Sequence, residues 1–100
     1  MPKAYWVAHV DVDDPSAYAR YREANAVAFA KYGARFLVRG PEQHQLEGHC
    51  RARTVVIEFP DIKAATDCYH SPEYQAAKAL RDPVSTADMV IVEGYEGPQP

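Results

Sequence analysis

Residues 5–12 alternate, with Trp6, Ala8, Val10 and Val12 on one side and Tyr5, Val7, His9 and Asp11 on the other, the two-residue period of a strand. Asp13-Asp14-Pro15 then starts a helix, with Asp14 as N-cap and Pro15 in the first turn, where its missing N–H costs nothing. The helix is expected to run to about Tyr32 and stop at Gly33. Tyr18, Tyr21, Asn25, Ala28, Phe29 and Tyr32 fall on one stripe at spacings of three and four. A second strand follows at 35–39, with Phe36 and Val38 on one face and Arg35, Leu37 and Arg39 on the other, closed by Gly40-Pro41. The polar stretch 42–53 has room for a short extra strand near 45–47, and 54–59 is the clearest strand of all. In it Val55, Ile57 and Phe59 oppose Thr54, Val56 and Glu58.

Pro60-Asp61 caps a short helix with Ile62, Ala65, Thr66 and Tyr69 on one face. Ser71-Pro72-Glu73 opens another, to about Arg81, with Tyr74 and Ala77 inward. Asp82-Pro83 ends it, and 88–95 forms the last strand, with Val90 and Val92 opposite Met89, Ile91 and Glu93. The order predicts an α+β fold, a ferredoxin-like βαββαβ sandwich with an antiparallel sheet and both helical segments on one face. Residues 1–96 make one domain and 97–100 a frayed tail.

Composition sharpens this. The chain has 100 residues, 47% hydrophobic and 25% charged, the balance of one globular domain. A chain of this size buries roughly 65% of the surface its unfolded form exposes, so one sheet face is short of cover and a second copy of the chain is the expected partner. Eleven Lys and Arg against fourteen Asp and Glu give a net charge of −3 and no basic footprint for nucleic acid or an anionic membrane. No signal-peptide succession follows Met1-Pro2-Lys3, and no apolar run approaches a membrane span, so a cytoplasmic protein is expected. Cys50 and Cys68 lack a CxxC spacing, which leaves a disulfide, a reactive thiol and plain packing all open. His44, His49 and Cys50 match no metal-ligand spacing, and glycine-rich phosphate loops are absent. No metal and no cofactor are expected.

Several blocks together resemble one family: Ala4-Tyr5-Trp6-Val7 with Asp14-Pro15 and Tyr18; Tyr32-Gly33-Ala34-Arg35-Phe36-Leu37-Val38-Arg39-Gly40; Val55-Val56-Ile57-Glu58-Phe59-Pro60; and Ser71-Pro72-Glu73-Tyr74-Gln75 with Arg81. On these the chain is similar to the domain of unknown function 1330 family. The resemblance implies the dimeric α+β barrel superfamily, in which two ferredoxin-like subunits pack sheet against sheet. It implies no established reaction, although relatives by fold include cofactor-independent monooxygenases, muconolactone-type isomerases and haem-dependent enzymes.

Strand parity puts His9, Arg39, Glu58 and Glu93 on one sheet face and Trp6, Val10, Phe36, Val38, Ile57, Phe59, Val90 and Val92 on the other. Helices that bury many tyrosines and Asn25 need hydrogen-bond partners, and this favours helices over the polar face. The cleft beneath them would then gather Asn25, Arg39, Tyr18 and Tyr69 as ligand-binding groups, with His9 and Glu58 moving protons. The expected function is a homodimer that binds a small organic acid, enol or phenol, with cofactor-independent acid/base chemistry of a monooxygenase or isomerase kind. The rival reading is a non-catalytic dimeric binding or regulatory module whose charged row is a cross-strand ionic ladder. A redox role for Cys50 and Cys68 is a third.

Overall fold

Three side-chain oxygens open the three helices of this chain, whose computed structural model describes residues 2–40 and 42–100. Asp14 accepts from the backbone N–H of Ala17 at 3.2 Å, Asp61 from that of Ala64 at 2.7 Å and Ser71 from that of Tyr74 at 3.1 Å. Each satisfies a donor that the first helical turn leaves unpaired. The helices are α1 (Pro15–Lys31), α2 (Ile62–His70) and α3 (Pro72–Arg81). Ser71 also donates to the Cys68 carbonyl at 2.7 Å, so one hydroxyl closes α2 and opens α3.

The strands are β1 (Ala4–Val12), β2 (Arg35–Val38), β3 (Arg53–Phe59) and β4 (Ser85–Glu93). They form one antiparallel sheet in the order β2-β3-β1-β4, the ferredoxin-like α+β arrangement expected from the element order. Gly33, at φ +71°, makes the left-handed turn between α1 and β2. Two expectations about elements change. Residues 45–47 are not a strand, and β4 begins at Ser85, directly after a 3₁₀ turn at Asp82–Val84. Pro41, expected to close β2, and Met1 lie outside the described residues.

The face assignment is corrected. Helices cover the apolar face, because Trp6, Val10, Ile57 and Phe59 are all buried against them. Trp6 is the hub: its ring centroid lies 5.3 Å from that of Phe29 in α1, 5.9 Å from Tyr69 in α2 and 4.8 Å from Tyr74 in α3. Its indole N–H donates to the Ala65 carbonyl at 3.0 Å. Burying large aromatic area outweighs seating tyrosines on a charged row, which would strip water from those charges. The tyrosines need no such row, since the Tyr21 and Tyr74 hydroxyls bond each other at 2.9 Å and Arg81 donates to Tyr74 at 3.3 Å.

Register corrects the rows themselves. In β4, Ile91 pairs with Trp6 and Met89 with Ala8, so these face the helices, while Val90 and Val92 pair with Val7 and Tyr5 on the open face. Glu93 pairs with Ala4 and is not in line with His9 and Glu58. In β2 the pairing shifts by one residue between Phe36, opposite Ile57, and Val38, opposite Val56. This bulge puts Val38 on the open face and returns Arg39 to the side of Phe36. The open face carries Val7, Val56, Val90 and Val92 at its centre, with Val90 55% exposed.

Candidate functional site

A cleft lies between α1, the end of α3 and the helix-facing side of the sheet. Helical spacing supplies one wall: Tyr18, Tyr21, Arg22 and Asn25, at intervals of three and four, share one face of α1. Its floor is apolar, made by Trp6, Phe29, Phe36, Ile57 and Met89. Arg39 arrives through the β2 bulge, Arg53 by parity with Val55 and Ile57, and Arg81 from the last turn of α3.

Four guanidiniums and no carboxylate line this cleft among the described residues. Three of them lean on rings. Arg39 lies 3.9 Å from the Phe36 centroid, Arg53 5.7 Å from Tyr18 and Arg81 5.6 Å from Tyr21. Arg81 is the deepest, its side chain 11% exposed, and it keeps a carboxylate at 3.4 Å in Asp82. Arg22, Arg39 and Arg53 have none within 4 Å among the described residues. Burial, and then the charges of Arg22 and Arg53, push the Arg39 guanidinium below its ordinary value, although arginine stays charged at neutral pH. The cleft therefore holds an excess of positive charge in a chain whose net charge is −3.

Asn25, only 4% exposed, lines the same space. Burial raises the Tyr18, Tyr21 and Tyr74 hydroxyls above the ordinary phenol value. All three are neutral O–H groups at pH 7, able to donate and not to act as bases. The cleft encloses about 50 Å³. Seating a six-membered ring takes on the order of 150 Å³. A ring-sized ligand needs more room than this, and the Arg22 and Arg39 side chains that line the cleft are exposed.

Of the residues singled out in the sequence, Asn25, Arg39 and Tyr18 come together here. His9 and Glu58 do not. They point from the opposite side of the sheet, where Glu58 pairs with Lys3 at 3.1 Å and accepts from Tyr5 at 3.5 Å. Thr54 gives its one proton to Gln43 at 2.6 Å, so the His9 Nδ1–H donates to Thr54 at 3.1 Å. Tyr69 packs against the far side of Trp6 and lines a separate open groove beside β4 with Lys78, Asp82 and Ser85. Arg22, Arg53, Arg81, Tyr21 and Tyr74 were not among the site residues read from sequence. Two signals pointed to some of them: the 18/21/22/25 spacing on α1, and the parity of Arg53 with Val55 and Ile57. Both cysteines are free, Cys50 exposed and Cys68 buried. Among the described residues no three His, Cys, Asp or Glu side chains cluster as metal ligands, and no helix is long and apolar enough to cross a membrane.

The fold and this cleft define a ferredoxin-like α+β protein with an arginine-rimmed aromatic cavity between its helices and its sheet. By sequence the chain belongs to the family described as Domain of unknown function (DUF1330), which matches residues 3–95. Among solved structures it is similar to a protein of unknown function from Rhodopseudomonas palustris, at 17% identity and a TM-score of 0.75, covering 96% of this chain and 85% of that one. It is also similar to a dimeric ferredoxin-like protein of unknown function from Jannaschia sp. CCS1, at 17% identity and a TM-score of 0.65, over 92% of this chain and 99% of that one. A third is SnoaB, a cofactor-independent oxygenase from Streptomyces nogalater, at 15% identity and a TM-score of 0.62, over 97% of both chains. No curated protein sequence matches the chain.

Proposed function

We propose that this protein works as a homodimer with one ligand cleft per subunit, and that the cleft takes a small organic acid, enol or phenol in its anionic form. The observation that carries this reading is a buried aromatic floor ringed by four arginines with no facing carboxylate among the described residues. An arginine fork matches a carboxylate or enolate in shape as well as charge, and leaving three guanidiniums without an anion costs stability that ligand binding would return. The open sheet face with Val7, Val56, Val90 and Val92 supplies the dimer surface, as the dimeric neighbour of the same fold suggests.

Such a cleft supports cofactor-free chemistry by stabilising an enolate or phenolate, the electron-rich form that isomerisation or reaction with oxygen requires. The cofactor-independent oxygenase from Streptomyces nogalater, built on this fold, makes that class the first to assay. Proton transfer would fall to the substrate and solvent, since His9 and Glu58 face away from the cleft. The same observation favours a second reading, a binding module without turnover. Titration with benzoate and with its neutral isostere benzamide tests the anion site. Benzoate should bind, more weakly as salt rises, and benzamide should not; equal affinity for the two overturns the reading. Oxygen uptake and NMR turnover measured with bound enols and phenols then separate enzyme from module.

A further inference from the structure

The polar groups of the cleft fall into two sets at different depths. Arg22, Arg39 and Arg53 stand at its mouth, each without a carboxylate within 4 Å among the described residues. Tyr21, Tyr74 and Asn25 are buried, with exposures of 8%, 1% and 4%. The same cleft is lined by apolar side chains, Trp6, Phe29 and Ile57 among them.

Counting protons in the inner set leaves one unspent. The Arg81 Nε–H donates to the Tyr74 oxygen at 3.3 Å, and a guanidinium accepts nothing in return. The Tyr21 and Tyr74 hydroxyls, 2.9 Å apart, share one hydrogen bond. Two hydroxyl protons and one bond between them leave one proton over. Neither hydroxyl makes a further hydrogen bond among the described residues. Arg81, Tyr74 and Tyr21 therefore form a chain whose two hydroxyls keep one unused donor, buried beside Asn25, in a place where an unused donor is costly.

We propose that the ligand has two oxygen functions at opposite ends of a flat apolar body, a carboxylate held by Arg22, Arg39 and Arg53 and a hydroxyl, enol or carbonyl oxygen that accepts from the Tyr21–Tyr74 pair. This deepens the reading of the cleft as an anion site and rests on it. The Tyr21–Tyr74 pair becomes the specificity element of the inner end, and the donor it offers is the one that would stabilise a developing oxyanion there. A ligand with a carboxylate alone fills the mouth and leaves the inner donor unmet, which lowers its affinity without abolishing binding.

The test is a titration of the wild-type protein with benzoate, phenol, 3-hydroxybenzoate and 4-hydroxybenzoate, repeated with the double variant Tyr21→Phe/Tyr74→Phe, since either single variant keeps one unused hydroxyl proton. One hydroxybenzoate isomer should bind about tenfold more tightly than benzoate, the worth of one buried hydrogen bond, and phenol should bind more weakly than either acid. The double variant should bring hydroxybenzoate down to the level of benzoate while leaving benzoate affinity unchanged. Benzoate binding as well as both hydroxybenzoates to the wild type overturns the two-ended ligand and leaves the anion site standing. Failure of all three acids overturns both. The wild-type ratios decide the matter even if a tyrosine variant does not fold, and a tyrosine variant that folds but weakens benzoate and hydroxybenzoate equally also overturns it.

Discussion

Arg39→Met separates a binding arginine from a structural one. In the structure the Arg39 guanidinium lies 3.9 Å from the Phe36 ring centroid, near Arg22 and Arg53, and without a carboxylate among the described residues. Removing it forfeits a cation–π contact of about 0.5–1 kcal/mol. Methionine keeps an unbranched stem and a sulfur that also pack on an aromatic ring, recovering part of that loss. Losing one of three neighbouring positive charges returns a further few tenths of a kcal/mol, small because the side chain is exposed and screened. The net change in stability is expected within about 0.5 kcal/mol, or about 4 °C in Tm for a chain of this length.

Ligand binding should respond very differently to the same substitution. One charge-assisted hydrogen bond is worth about 1.5–3 kcal/mol, so benzoate affinity should fall roughly 10- to 150-fold. Differential scanning fluorimetry reads the first quantity and isothermal titration the second. A Tm loss of about 8 °C or more with unchanged affinity makes Arg39 a packing residue and refutes the argument. Unchanged affinity with unchanged Tm refutes it as well.

Glu58→Gln and His9→Asn should leave benzoate affinity unchanged, because both side chains face away from the cleft. Glu58→Gln should cost less than about 1 kcal/mol in urea unfolding, given that Lys3 is largely exposed; a tenfold loss of affinity in either variant contradicts this placement. Native protein at pH 8 should show one fast thiol per chain toward a disulfide reagent, from Cys50, since burial pushes the Cys68 thiol up to about 12; two fast thiols contradict the burial of Cys68. The Ala52 N–H at 3.0 Å and Arg51 at 2.9 Å hold the Asp11 carboxyl below its ordinary 3.8. A folded value below the unfolded one means this contact is complete above about pH 4 and is lost as the pH falls through the lowered value. Hydrogen exchange at Ala52 should quicken at acid pH relative to its intrinsic rate, and Asp11→Asn should be fast at every pH; protection that survives in the variant rules out the Asp11 latch.

Much of the fold could be read without coordinates because its signals are local. Asp14-Pro15, Pro60-Asp61 and Ser71-Pro72 each place a capping oxygen beside a helix start, and the 3.6-residue stripe of α1 and the alternation of β1 and β3 extend over enough residues to be unmistakable. The site was legible only in part. Asn25, Tyr18 and Arg39 meet in the cleft, whereas a place for His9 and Glu58 beside them depends on how rows from separate strands line up.

Alternation within a strand says which residues share a side, and nothing more. It does not give the side on which the helices lie, nor the phase of one strand against the next, for a shift of one residue exchanges the two faces completely. Here β4 pairs so that Val90 and Val92 face outward, and the β2 bulge inverts Arg39. The chain's own residues specified its elements, their order and its family. Packing chose the face, because burying Trp6, Phe59 and Ile57 beneath the helices repays more than pairing tyrosines with charges. That choice turned His9 and Glu58 away from the cleft and gathered four arginines around it.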